Sequence, residues 1–260
     1  YDNMLEKKQM DMYPSQKEIF NFVINNDKYL ALIHTMLGSG KTTMLNVFSR
    51  HIPSEERIIT IEDTPELRLL QDHVVTLVSK PSNIEGRGEI TMRELFINSL
   101  RMRPDRIIIG EVRGEEMFDL IQSISSGHSG SLAIVHAETP EDCFNRMVMM
   151  MLMAGVRLSP EQIQKQVARA IDIVVHVELF LDGRRRVTAV TDLVYDEKNQ
   201  RPILHEIFHF DQRGMTEKNE VIGDWAMDRR RPSFYEKFKK RLVTLPPGFF
   251  DESLPAFKDS

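Results

Sequence analysis

Apolar positions along this chain fall into two rhythms, short unbroken runs and stripes spaced at three to four residues, and together they predict alternating strands and helices. SQKEIFNFVIN reads as an amphipathic helix capped by Ser15, and Asn25, Asn26 and Asp27 turn it into an apolar strand ending at Ile33. A helix opens at Lys41, a strand runs from Arg57 to Asp63, and the short apolar run HVVTLV follows. Arg93 to Met102 predicts a helix feeding the strand Arg106 to Ile109, and Glu115 to Ile124 predicts another feeding SLAIV. Runs apolar throughout are buried on both faces, so this alternation predicts a mostly parallel sheet between helices.

The rhythm changes after Gly155. Before it, EDCFNR followed by MVMMMLMAGV reads as a core helix, with a membrane- or partner-binding stripe as the alternative. Beyond it, Ser159, Pro160 and Glu161 cap a helix through Ala170. IVVHVELFLDG, RRRVTAVTDLVYD and PILHEIFHF then predict three antiparallel strands, turning at Asp182-Gly183 and around Asn199. FYEKFKKRLV predicts a short basic amphipathic helix, either solvated or set against a membrane-bound platform or acidic lipid, and LPPGFF ends it.

The first strand leads into LGSGKTT. Gly38 and Gly40 free the backbone to curl, and a helix opening at Lys41 aims its first N–H groups at an anion. Gly38, Ser39, Gly40, Lys41, Thr42 and Thr43 are therefore the expected cradle for ATP. Lys41 is expected on the terminal phosphates and the Thr42 hydroxyl on Mg²⁺. Thr35 stands where the P-loop pattern expects its first glycine, with Met36 after it. A non-glycine residue at positive φ costs on the order of 1 kcal/mol, which a tight phosphate site can absorb.

Carboxylates and histidines cluster where the next strands end. Glu62, Asp63 and Glu66 close one strand; they fall beside the phosphates if that strand neighbours the P-loop strand, and otherwise they form the acidic start of a helix after Pro65. Glu111 closes the buried strand expected beside the P-loop strand, where it can orient or deprotonate water and face Mg²⁺ with Thr42. Arg101, Arg103 and Arg113 flank that strand and are expected at its rim, where guanidinium groups neutralise phosphate charge; surface ion pairs are the alternative for each. His128 and His136 lie at opposite ends of SLAIV, and His136 is expected on the same rim as Glu111. No cysteine or second close histidine gives zinc spacing.

Four segments in this order, GSGKTT, IEDTPEL, LRMRPDRIIIGEVRG and GHSGSLAIVHAETP, resemble the Walker A, Asp box, Walker B and His box of the secretion ATPase superfamily. PSNIEGRGEIT and the LMAG and DGRRRVT segments are similar to the CpaF/TadA-type motor of tight-adherence pili, and the resemblance runs from about Leu30 to Phe210. It implies a RecA-like P-loop NTPase core with a C-terminal antiparallel β and helical extension. It also implies ATP hydrolysis with Mg²⁺, with Glu111 as the Walker B glutamate, Glu66 as the last Asp-box glutamate, His128 and His136 in the His box, and Arg101 and Arg113 as the flanking arginines. The family usually writes its loop GGTGSGKT, so Thr35, Met36 and Leu37 put loop geometry and turnover in question. The implied assembly is a homohexamer at the cytoplasmic face of the inner membrane, docked on a platform protein and driving pilin insertion or export. A type IV secretion or archaeal-filament motor and a non-hydrolysing nucleotide-binding ring subunit are the alternatives.

Composition narrows this little further. At 260 residues the chain can bury one large core, and a net charge of −5 argues against a nucleic-acid partner. The single cysteine, Cys143, excludes an internal disulfide and reads as a small buried hydrophobe. No apolar run reaches the roughly 20 residues that span a bilayer. The expected organisation is an N-terminal helix and linker over 1–29, the remnant of a missing domain, an ATPase core over 30–155 and a C-terminal extension over 156–260.

Overall fold

The computed structural model describes residues 10–11, 31–35, 41–127, 130–236, 247–251, 253–254 and 257. The helix expected over SQKEIFNFVIN, the loop residues Gly38, Ser39 and Gly40, His128 and most of FYEKFKKRLV lie outside the described residues.

The strands are β1 (Met10–Asp11), β2 (Ala31–Thr35), β3 (Arg57–Glu62), β4 (His73–Val78), β5 (Arg106–Ile109), β6 (Leu132–His136), β7 (Ile173–Leu179), β8 (Arg185–Asp196), β9 (Arg201–Met215) and β10 (Val221–Met227). The helices are α1 (Lys41–Ser49), α2 (Met92–Ser99), α3 (Glu116–Ser125), α4 (Pro140–Met153) and α5 (Pro160–Ala170). All these strands share one sheet in the order β10-β9-β8-β7-β2-β6-β5-β3-β4, with β1 parallel to β8. From β7 to β4 every pairing is parallel, and from β7 to β10 every pairing is antiparallel.

The expectation that β5 neighbours the P-loop strand fails here, and the condition set for β3, the same neighbourhood, is not met. β6 lies between the P-loop strand β2 and β5, and β3 sits one place further out. β3, β5 and β6 are all apolar, buried runs, so the run itself does not assign the slot; the packing of the whole sheet does, and it places β6 centrally although it comes later in the chain. All these strands still run the same way, so their carboxyl ends reach one rim, where α/β folds bind ligands. The antiparallel part carries one more strand than expected, β10, whose half-exposed residues lack a buried run.

Each face of the sheet has its own core. Met44, Leu45 and Phe48 of α1 pack on one face with Ile58, Ile108 and Ile134. On the other, Phe96 of α2, Leu120 of α3, Phe144 and Met147 of α4 and Ile163 of α5 pack on Ile59, Ile107 and Val135. Adjacent strand residues thus point to opposite faces, and both are buried, as in other covered parallel sheets. The methionine run belongs to this core: Met147, Met150 and Met151 are buried and only Met149 and Met153 of that helix's methionines are well exposed. Cys143 is fully buried, and burial pushes its thiol pKa up, so it stays a packed, unreactive thiol.

Capping residues set the helix ends. Thr91 with Glu94 and Ser159 with Gln162 form reciprocal capping boxes on α2 and α5, and Thr139 caps α4. Beyond α2, a short 3-10 turn (Leu100–Met102) and Arg103, at a left-handed φ of 51°, swing the chain into β5.

Burial also sets a pH dependence. His176 on β7 is 5% exposed, and burial lowers its pKa from 6.5 to about 4 despite the Glu178 carboxylate 3.3 Å away. The unfolded chain therefore binds a proton between pH 6.5 and about 4 that the folded chain refuses, so stability falls as pH drops through that window. The loss attributable to this one group is at most about 3 kcal/mol. Denaturant unfolding at pH 7 and pH 5 should show a smaller loss for His176→Gln than for the wild type; parallel losses would remove His176 as the cause.

Candidate active site

The rim of the parallel strands builds the site. The sheet register places Thr35, the last residue of β2, beside His136, and α1 opens at Lys41. An α1 amino end on the carboxyl rim presents unpaired N–H groups, the arrangement that holds a phosphate. Thr42 and Thr43 lie in the first turn of α1, both half-buried.

Thr42 ties α1 to the Asp-box loop. Its hydroxyl donates to Glu66 Oε2 at 2.5 Å. Glu66 stands in an open loop, not at the start of a helix as one expectation had it. That loop is held by other elements: Arg68 N donates to Asn46 Oδ1 at 2.8 Å, and Leu67 and Leu69 pack on the core. Glu62, 3% exposed, adds two bonds: its Oε2 accepts the backbone N–H groups of Glu66 at 2.7 Å and Leu67 at 2.9 Å. Thr60 donates to its other oxygen at 3.2 Å. Glu62 therefore faces inward and positions the loop. Gly110 makes room for it, since a Cβ there would lie 3.2 Å from Glu62 Cγ.

Glu111 follows β5 and is engaged through both oxygens. Arg113 donates to Oε1 from Nε at 2.5 Å and to Oε2 from Nη2 at 2.9 Å, and His136 Nε2 lies 3.2 Å from Oε2. Arg113 also reaches Asp63 at 3.3 Å, and the hydrogen bond to Glu111 is the main reason its pKa is raised. Thr42, Glu62, Asp63, Glu66, Glu111 and Arg113 line a cleft of about 100 Å³. The structure thus brings Glu66, Thr42, Glu111, Arg113 and His136 to one place.

Arg101 and Arg103 do not join that rim. They precede β5, at the edge opposite Glu111, and Arg101 Nη1 donates to Ile97 O at 3.3 Å within its own turn. The direction of a strand decides this: a residue before a parallel strand and one after it are separated by its whole length. Glu116 was not singled out by the sequence reading, yet its carboxylate accepts two N–H groups of the loop after Glu111. A glutamate in the first turn of a helix was the available signal.

Comparison with known proteins places this architecture. The family described as "Type II/IV secretion system protein" matches residues 1–209. The chain belongs to this family. The VirB11 type IV secretion protein of Bartonella henselae is 37% identical over 174 residues, covering 66% of this chain and 48% of its own. A Mycobacterium tuberculosis protein provisionally named for conjugal transfer is 36% identical over 192 residues, covering 74% of this chain and 53% of its own. The chain spans about half the length of these curated relatives. The crystal structure of the VirB11 ATPase of the Brucella suis type IV secretion system matches with a TM-score of 0.62 and 30% identity, over 76% of this chain and 55% of that one. The pilus retraction motor PilT, with bound ADP, matches at 0.53 and 20% identity, over 75% of this chain and 53% of that one, a likeness of fold. The fold is α/β, a RecA-like core whose mostly parallel sheet continues into antiparallel strands. Among the described residues no helix is long and apolar enough to cross a membrane.

Proposed function

We propose that this chain is the ATP-hydrolysing motor part of a secretion or pilus-assembly system, bound to the cytoplasmic face of the inner membrane through a platform protein. The observation that carries this reading is the meeting of Thr42 and Glu66 on one side of the cleft with Glu111, Arg113 and His136 on the other. A tight-adherence pilus motor that drives pilin insertion is the narrower form, supported by the motif wording alone. Type IV secretion is the form favoured by the relatives' names.

The residues divide the work as follows. Lys41 and the α1 amino end bind the phosphates of ATP. Among the described residues no group of three or more His, Cys, Asp or Glu side chains stands ready for a metal. The hard oxygen donors of Thr42, Glu66 and Glu111 suit Mg²⁺, which is commonly held by one or two carboxylates and completes its shell with phosphate and water. When bound, Mg²⁺ supplies charge neutralisation on the phosphates. Glu66 fixes the Thr42 hydroxyl. Glu111 orients and deprotonates the attacking water, which requires one of its oxygens to leave Arg113. The guanidinium N–H given up by that oxygen then faces developing phosphate charge, while the other Glu111 oxygen and Asp63 still hold Arg113 and His136 keeps Glu111 in place. The acidic partner of the Thr42 hydroxyl comes from the Asp-box loop, as Glu66.

Arg101 lies too far from its own cleft to serve it and is assigned to a neighbour's site in a homohexamer. The ATPase rate should therefore rise more than linearly with protein concentration. Mixing Glu111→Gln with Arg101→Ala protein, each nearly inactive alone, should restore activity through mixed sites. Specific activity unchanged on dilution, with no recovery on mixing, would rule out the shared site.

A further inference from the structure

The loop that carries Glu111 and Arg113 is fastened at two points. Val112 N donates to Ile134 O of β6 at 2.8 Å. Glu116 Oε1 then accepts the next two backbone N–H groups, Arg113 at 2.7 Å and Gly114 at 3.0 Å. Glu116 is 8% exposed, and its other oxygen would lie 3.3 Å from a Cβ at position 114, so the loop closes tightly over it. Between these fastenings the Arg113 side chain leaves the backbone in a fixed direction and reaches both Glu111 and Asp63. The Asp-box loop is held in the same way, with Glu62 accepting the N–H groups of Glu66 and Leu67. Two buried carboxylates, Glu62 and Glu116, thus each fasten a loop that faces the cleft.

We infer that Glu116 is a positioning residue for hydrolysis, acting through Arg113 by fixing the backbone from which the guanidinium departs. The inference rests on the proposed ATPase activity. A buried carboxylate facing two N–H groups makes charge-assisted bonds that a neutral amide reproduces poorly. Glutamine keeps the volume but carries its own N–H groups, which face the donors when the amide turns. The backbone at Arg113 and Gly114 then shifts, and a displacement approaching 1 Å at a charge-neutralising group is worth up to about 10²-fold in rate.

A helix-starting role alone would lower stability and leave the chemistry unchanged, so the test follows rate and coupling. In the intact protein, Glu116→Gln should lower kcat about tenfold or more while the affinity for MgATP stays within about threefold. In an Arg113→Ala background the same substitution should cost less than about twofold, because the group it positions is gone. Amide exchange at Arg113 and Gly114 should quicken about tenfold in Glu116→Gln, a readout independent of turnover. Equal rate losses in both backgrounds, or unchanged exchange at the two amides, would overturn the inference while leaving ATP hydrolysis in place. A wild type that hydrolyses no ATP would overturn the functional reading and this inference with it.

Discussion

Glu111→Gln should bind MgATP as the wild type does and hydrolyse it at least about 10²-fold more slowly, the scale of a lost general base. The substitution keeps the shape of a side chain that is 12% exposed and packed at the exit of a buried strand, so the fold is expected to persist. It removes the charge on which Arg113 and His136 converge. Glutamine can still accept one hydrogen bond from Arg113, but it cannot take a proton from water. Binding by calorimetry and turnover by phosphate release separate the two effects. A wild-type rate would move the base elsewhere, and Glu66, whose Oε2 holds only the Thr42 hydroxyl among the bonds described, is the next carboxylate in the cleft.

The sequence was most readable where local chemistry and burial agree. Lys41 opening α1, Ser159 and Pro160 starting α5, and the apolar runs of β3, β5 and β6 each carry their own signal and form the elements expected of them. Strand order was not readable in the same way. Nothing local to SLAIV says that it enters between β2 and β5, because that choice depends on how buried strands pack across the whole sheet. β10 was missed because it holds no run of buried apolar residues and a glycine and an aspartate stand inside it.

In the site, strand ends predicted Glu111 and His136 on one rim because parallel strands share a direction, while Glu66 fitted either that rim or the start of a helix, and its loop at the rim decides for the first. The same reasoning, applied consistently, separates Arg101 from Arg113 by the length of β5, and charge alone had hidden that difference. The inward turn of Glu62 was out of reach of the sequence. A carboxylate at a strand end looks the same whether it faces a ligand or its own backbone, and only the N–H groups of Glu66 and Leu67, folded back toward it, decide. Gly110 fits the same picture: its missing Cβ is explained by the Glu62 side chain, which belongs to a strand that is distant in sequence.

Lys41→Ala carries the other large expected effect. Lys41 opens α1 on the carboxyl rim, directly after Gly38-Ser39-Gly40, and its turn presents the N–H groups and the Thr42 hydroxyl toward the cleft. In such a loop the lysine is the point charge on the terminal phosphates, so its removal leaves those charges opposed only by backbone dipoles. Alanine is a good helix former, and α1 and the stability of the fold should therefore be kept. Titrating MgATP into wild type and Lys41→Ala by calorimetry, with phosphate release followed on the same samples, tests the central claim most directly. The account predicts binding and hydrolysis by the wild type and loss of both, at least about 10²-fold, in the variant; equal ATP affinity in the two proteins would contradict it.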